Sequence, residues 1–202
     1  MTAQPVEPDL EATYYQLRDL ADEITATADR RGTRVRAAIA DQGINVIMMS
    51  PSTRHGRIVS LLTLQIEGQD AHAATMAETR VEHPGLGLCR TADLLAMSQD
   101  AFEAQDDDAA AFAPTVDLAV EVVSRSNPGN DYMVKLREYP RMGVPAYVII
   151  DPRDGTISVH SDPDTISKEP QYRTRKRYAF GDTVPMGRWS IDTARFPRYR
   201  EE

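Results

Sequence analysis

With 202 residues, 41% of them hydrophobic, and no internal repeat or long linker, the chain suits one sizeable core, so residues 1–202 are read as a single domain. A formal net charge of −8 excludes a protein that coats nucleic acid nonspecifically, though not one with a local basic groove, and the lone Cys89 excludes an internal disulfide. Apolar runs such as Val144 to Ile150 are far shorter than a membrane span, and the start MTAQPVEPDLEA lacks a basic stretch followed by a hydrophobic one, so a cytoplasmic protein without a membrane partner is expected.

Leu10, Tyr14, Leu17, Ala21, Ile24 and Ala28 recur at helical spacing between Asp9, able to cap, and Gly32, able to stop; this predicts an N-terminal helix over 9–31. A core over 33–151 follows. Thr33 to Ile39 and Ile44 to Met49 read as a hairpin around Asp41-Gln42-Gly43, then comes a Ser50-Pro51-Ser52-Thr53 loop. His55 opens a helix to about Glu67, with Ile58, Leu61, Leu62 and Ile66 spaced to pack on a sheet. Ala73 to Val81 and Leu86 to Cys89 read as strands joined through Glu82-His83-Pro84-Gly85. Residues 91–114 end in the acidic EAQDDDAAAFAP, which reads as a solvated surface loop, with a cation site at Asp106, Asp107 and Asp108 as the lesser alternative.

The most informative stretch is TVDLAVEVVSRSNPGNDYMVKLREYPRMGVPAYVIID, Thr115 to Asp151. Val116, Leu118, Val120 and Val122 alternate onto one face, and Asp117, Ala119, Glu121 and Val123 onto the other. Ser124 to Asn130 breaks the strand; Asn130 or Asp131 can cap a helix carrying Lys135, Leu136 and Tyr139, which should end or kink at Pro140. The apolar run Ala146 to Ile150 suits a strand buried on both faces, so strand, helix and strand form a parallel crossover. Glu121 and Lys135 then converge on one pocket.

Residues 152–202 form a strand extension and tail. Thr156 to His160 and Tyr172 to Phe180 read as an antiparallel meander, and Trp189, Ile191 and Phe196 give the tail enough apolar surface to dock. Arg173, Arg175 and Arg177 share one face of the second of these strands, a candidate nucleic-acid contact; Arg54, Arg57 and Lys135 are the alternative.

The Thr115 to Asp151 segment resembles the core of the Uma-two family of restriction endonucleases, within the PD-(D/E)XK nuclease superfamily. The family's strand pattern falls on Asp117, Glu121, Val122-Val123 and Ser124, its helix pattern on Lys135 and Tyr139, and its following Gly, Val, Pro, aromatic and Asp on Gly143, Val144, Pro145, Tyr147 and Asp151. Gly43, Ser50-Pro51 and His55 match its hairpin, loop and helix-opening His.

The resemblance implies a restriction-endonuclease-like α/β fold of three layers: a mixed central sheet flanked by helices, with the meander added. It also implies a Mg²⁺- or Mn²⁺-dependent endonuclease acting on DNA, and leaves room for a homodimer. Glu121 would be a metal ligand, Lys135 would position the attacking water, and His55 would belong to the pocket. The family's Pro-Asp pair would fall on Pro84-Gly85, where the first metal ligand is lost, and the Glu usual on the first hairpin strand is absent at Ala37 and Ala38. Asp117 is the candidate substitute ligand, although four residues along a strand separate it from Glu121 by about 13 Å at ~3.3 Å per residue; Glu82, His83, Asp93 and His55 are others. A catalytically inactive homologue acting as a binding or regulatory module is the alternative.

Overall fold

A computed structural model describes residues 9–48, 52–106, 110–125, 129–167 and 169–200. Helix α1 (Leu10–Arg30) starts where the Asp9 carboxylate accepts the amides of Glu11 and Ala12. Strands β1 (Val35–Ala40) and β2 (Gly43–Met48) form a hairpin whose two-residue turn, Asp41-Gln42, takes positive φ at both positions; Gly43 is already paired with Ala40. Helix α2 (Thr53–Gln69) is capped by Ser52, which accepts the amide of His55. The Ser50-Pro51 part of the expected loop lies outside the described residues, as do Asp107 and Asp108.

Strands β3 (Ala73–His83) and β4 (Leu88–Ser98) pair antiparallel along their whole length. This corrects the reading of 91–98 as the start of a loop. Arg90 to Met97 is buried throughout, the signature of a strand covered on both faces, and a short helix α3 (Gln99–Glu103) and a two-residue strand β5 (Ala111–Phe112) follow.

Strand β6 (Val116–Val122) runs parallel to β7 (Ala146–Asp151), and the crossover between them contains a π-helical turn (Asn130–Lys135) continued by helix α4 (Leu136–Arg141). Pro140 lies in the last turn of α4, one residue before it ends. β8 (Thr156–Asp164) and β9 (Gln171–Ala179) complete the expected meander, and β10 (Thr183–Met186) with β11 (Trp189–Asp192) makes a separate small sheet.

The central sheet thus mixes two parallel pairs among the described residues, β6 with β7 and β3 with the short β5, with antiparallel neighbours, and each face carries its own core. One core joins α2 (Ile58, Leu62, Ile66) to Leu118, Val120 and Val122 and to Trp189 and Ile191 of the small sheet. The other joins Tyr139 and Met142 of the crossover helix to Ala119, Val123, Tyr147 and Ile149. Val116 belongs to the second core rather than alongside Leu118, because the register of β6 against β4 slips between Ala96 and Met97; Asp117 is the extra residue of that bulge.

One consequence of the pairing positions the site. β3 occupies one edge of β4 throughout, so β1, which pairs at Cys89, and β6, which pairs from Leu94 to Met97, share the other edge at different heights. Between these two pairings the sheet forks. Backbone groups at the fork lack a ladder partner on that edge, and buried backbone polar groups need one.

Candidate functional site

The fork is filled by charged side chains. Asp93 lies on β4 at the split, opposite Glu121 by continuation of the register that pairs Leu94 with Val120. Its Oδ2 accepts the backbone amide of Val122 at 2.8 Å, which satisfies the last residue of β6 where the ladder has ended. Its Oδ1 accepts from Arg36 on β1 at 2.8 Å, and His55 Nε2, in the first turn of α2, lies 3.4 Å from Oδ2.

Glu121 is 1% exposed. Its Oε1 receives Lys135 Nζ at 2.7 Å and the Tyr139 hydroxyl at 3.2 Å. Lys135 also donates to the Thr91 carbonyl at 2.9 Å, so the ammonium bridges β6 and β4 across the fork, and Asp131 lies 3.6 Å away. Lys135 ends the π-helical turn and Tyr139 lies four residues on, in α4, so both reach Glu121 from one side. A single turn of π geometry inside a helix is rare and concentrates at functional sites.

The two carboxylates are driven apart electrostatically. Burial raises the Asp93 carboxyl, but the His55 hydrogen bond and the charges of His55, Arg36 and Lys135 outweigh it and hold the group well below the ordinary carboxylate range. Burial pushes Glu121 well above that range; Lys135 opposes the rise, while Asp93 and Asp131 add to it. The two carboxylates thus sit in unlike environments, a division typical of paired carboxylates with distinct tasks.

Arg36 completes the cluster. Its Nε and NH2 are buried with no hydrogen-bond partner among the described residues, NH2 lying 3.8 Å from Glu78. Buried donors of this kind are normally satisfied by an ordered water or a polar ligand. A cavity of about 640 Å³ between α1 and the strands β1 and β3 is lined by Arg36, Arg34, Arg80, Glu78 and Thr91, which brings it to the edge of the fork.

Of the residues singled out from the sequence, the structure brings Glu121, Lys135 and His55 together. Asp117 is elsewhere: the bulge turns it out of the alternation it was assigned, and it pairs with Arg188 at 2.8 Å on the side of the small sheet. The carboxylate missed as a primary candidate is Asp93. Gly85 lies in the short 3-10 turn Pro84–Leu86 before β4, while Ala92-Asp93 stands in the strand itself, with Asp93 opposite Glu121. The visible signal was a lone acid within Ala92 to Met97, since a carboxylate in a fully buried strand needs built-in partners. Arg173 pairs with Asp164 at 3.3 Å, while Arg175 and Arg177 line a separate cavity; Arg54 donates to the Arg198 carbonyl at 2.7 Å.

Among the described residues no three His, Cys, Asp or Glu side chains form a ready metal cage. The donor set is nonetheless that of a hard cation of the Mg²⁺ type, which retains several waters and is bound through one or two carboxylates rather than enclosed. Asp93 and Glu121 fit that requirement.

The sequence model of the Uma2 family, described as "Putative restriction endonuclease", matches residues 16–194. Among solved structures, the chain is similar to "a putative nuclease belonging to DUF820" from Anabaena variabilis, at 15% identity and a TM-score of 0.56, over 74% of this chain and 80% of that one. That likeness shows a shared fold. No curated protein matches the chain.

Proposed function

The chain belongs to the Uma2 family, and from that premise we propose that it is a Mg²⁺-dependent endonuclease that hydrolyses DNA phosphodiester bonds at the fork. The observation that carries this reading is the convergence of Asp93, Glu121 and Lys135 from three elements onto one buried point. Asp93 and Glu121 would hold the cation, which when bound supplies charge neutralisation at the phosphate and a lowered pKa for the attacking water.

The protein's own groups do the rest. Lys135, anchored on the Thr91 carbonyl and on Glu121, orients the attacking water and places a fixed positive charge beside the phosphate. Arg36 offers its idle Nε and NH2 to the phosphate oxygens while NH1 keeps Asp93 in place. His55 and the Val122 amide hold Asp93 ionised and aligned. Tyr139, itself buried, donates its hydroxyl to Glu121 and fixes that carboxylate.

An inactive homologue was suggested by the glycine at position 85; with Asp93 beside Glu121, that motive falls away. The test is plasmid and single-stranded DNA incubated with Mg²⁺ or Mn²⁺ and the wild type, Glu121→Gln or Lys135→Ala. Cleavage is expected only with the wild type, and cleavage that persists in both variants would sink the assignment.

A further inference from the structure

A second concave site lies at the same end of the sheet. The parallel strands β6 and β7 both end there, the position at which α/β sheets place ligands. A cavity of about 250 Å³ lies between the π-helical turn, the β7–β8 turn and β9, lined among others by Tyr132, Asp151, Arg153, Ser158, Arg175 and Arg177.

The charges lining it do not cancel. Three guanidiniums face two carboxylates, Asp151 and Asp154, leaving 3 − 2 = +1. Both carboxylates are already engaged: Asp151 by Arg153 (2.9 and 2.6 Å) and by the Tyr132 hydroxyl (2.9 Å), Asp154 by the amide and hydroxyl of Thr156. Arg175 is held through Nε by the Ser158 hydroxyl at 3.2 Å, and Ser158 in turn lies 3.0 Å from His160 Nε2. Beyond that bond neither Arg175 nor the Arg177 side chain makes a hydrogen bond or ion pair with any described residue. The pocket lining therefore includes two guanidiniums, Arg175 held through Nε and Arg177 beside it, whose other donors are not taken up by the described residues.

We infer that this cavity is an anion subsite for a backbone phosphate of the nucleic-acid strand whose scissile phosphate lies at the fork, with Arg175 and Arg177 as its ligands. The inference rests on the nuclease reading for the position of the scissile phosphate, while the chemistry of the pocket stands on its own residues. The π-helical turn joins the two sites: Tyr132 reaches Asp151 at the pocket, and Lys135 reaches Glu121 at the fork. Arg173, tied to Asp164 outside the cavity, is not part of the subsite.

The experiment measures affinity for a labelled single-stranded oligonucleotide against salt, with chelator present so that nothing is cleaved. It compares the wild type, Arg175→Ser/Arg177→Ser, and Arg175→Lys/Arg177→Lys as a charge-preserving control on the exposed edge strand. The serine variant should bind at least about tenfold more weakly at low salt, with a salt slope reduced by about 0.7, the value for the one single-strand phosphate that the two arginines no longer neutralise; the lysine variant should keep most of the slope. Identical slopes for wild type and serine variant, or no binding by the wild type, overturn the subsite. Calorimetry with inorganic phosphate separates the sources: a free-phosphate signal that disappears in the serine variant, with oligonucleotide binding unchanged, overturns the strand assignment. If arginine-dependent binding is found but the wild type never cleaves in Mg²⁺ or Mn²⁺, the nuclease reading fails and the subsite survives. If the wild type and the serine variant bind and cleave alike, the reverse holds.

Discussion

At its carboxyl end β6 parts from β4, and the polar groups exposed by that parting are met by Asp93, Lys135 and Tyr139; at its amino end the ladder continues through a bulge that turns Asp117 out to Arg188. Glu121 and Asp117 belong to the same strand and, by simple alternation, to the same face. One is 1% exposed and bound to a lysine, while the other has a side chain 39% exposed. A carboxylate acquires chemistry here from the interruption of the ladder, because only an interruption leaves backbone groups and a buried space for several charges to share.

The sharpest way to break the comparison is at Glu121. Glu121→Gln keeps the shape but removes the charge that holds Lys135, and cleavage should fall by about 10²- to 10⁴-fold, the range for losing one positioned electrostatic or acid-base group. A quantitative plasmid-nicking assay measures it; a loss under tenfold would mean that the fork is not where the bond is broken.

Next in size is the structural role of Asp93. Asp93→Asn leaves Arg36 with only the longer, half-exposed pair to Glu78 in place of its buried carboxylate partner, which should cost about 3 kcal/mol in urea unfolding. Because the folded carboxyl titrates below its ordinary value, its contribution is fully present above about pH 4 and is lost as the pH falls through the folded value. Wild type and variant should therefore converge in stability only in strong acid, and convergence already near pH 6 would contradict this account.

A smaller effect marks the basic pocket. His160 is pushed down to about 4, by burial first and then by the charges of Arg175 and Arg177, and its ring packs near Tyr147 and Tyr172. Between about pH 6.5 and 4 the unfolded chain binds a proton that the folded chain refuses, so stability is complete above that window and declines as the pH falls through it. The decline should amount to roughly 2 kcal/mol after allowing for solvent screening of the Arg175 and Arg177 charges on the neighbouring edge strand β9, and it should be absent in His160→Gln. Melting curves between pH 7 and 4 that stay parallel for the two proteins would refute it.

The order of elements was legible because periodicity decides it. The 9–31 helix, the hairpin, the crossover and the meander each follow from spacing and turn residues. The pairing of Glu121 with Lys135 was legible as well, since strand, turn and helix of this length bring a strand end under a returning helix. Three things were not. The bulge at Asp117 depends on how β4 and β6 fit each other, which neither segment reveals alone. The reach of Lys135 to both Glu121 and Thr91 depends on a π-helical turn that has no reliable residue signature. Asp93 was obscured by the acidic residues after it, which made its strand look like the beginning of a loop, and Pro84 drew the search for a Pro-Asp pair to the turn before that strand.

The smallest expected effect tests the other half of the comparison. Arg188 pairs with Asp117 at 2.8 Å, but it also pairs with Asp70 at 3.1 Å and lies 4.5 Å over the Trp189 ring. Removing one of three partners leaves the arginine in place, and an exposed ion pair of this kind contributes about 0.2–1 kcal/mol. Asp117→Asn should accordingly lower stability by no more than that and leave both cleavage and Mg²⁺ affinity unchanged. The bulge predicts this result, whereas unbroken alternation, which would put Asp117 on the face of Glu121, predicts weaker metal binding. If Asp117→Asn weakened Mg²⁺ binding as Glu121→Gln is expected to, the two ends of β6 would have to act on one ion, and the separation imposed by the bulge would be wrong.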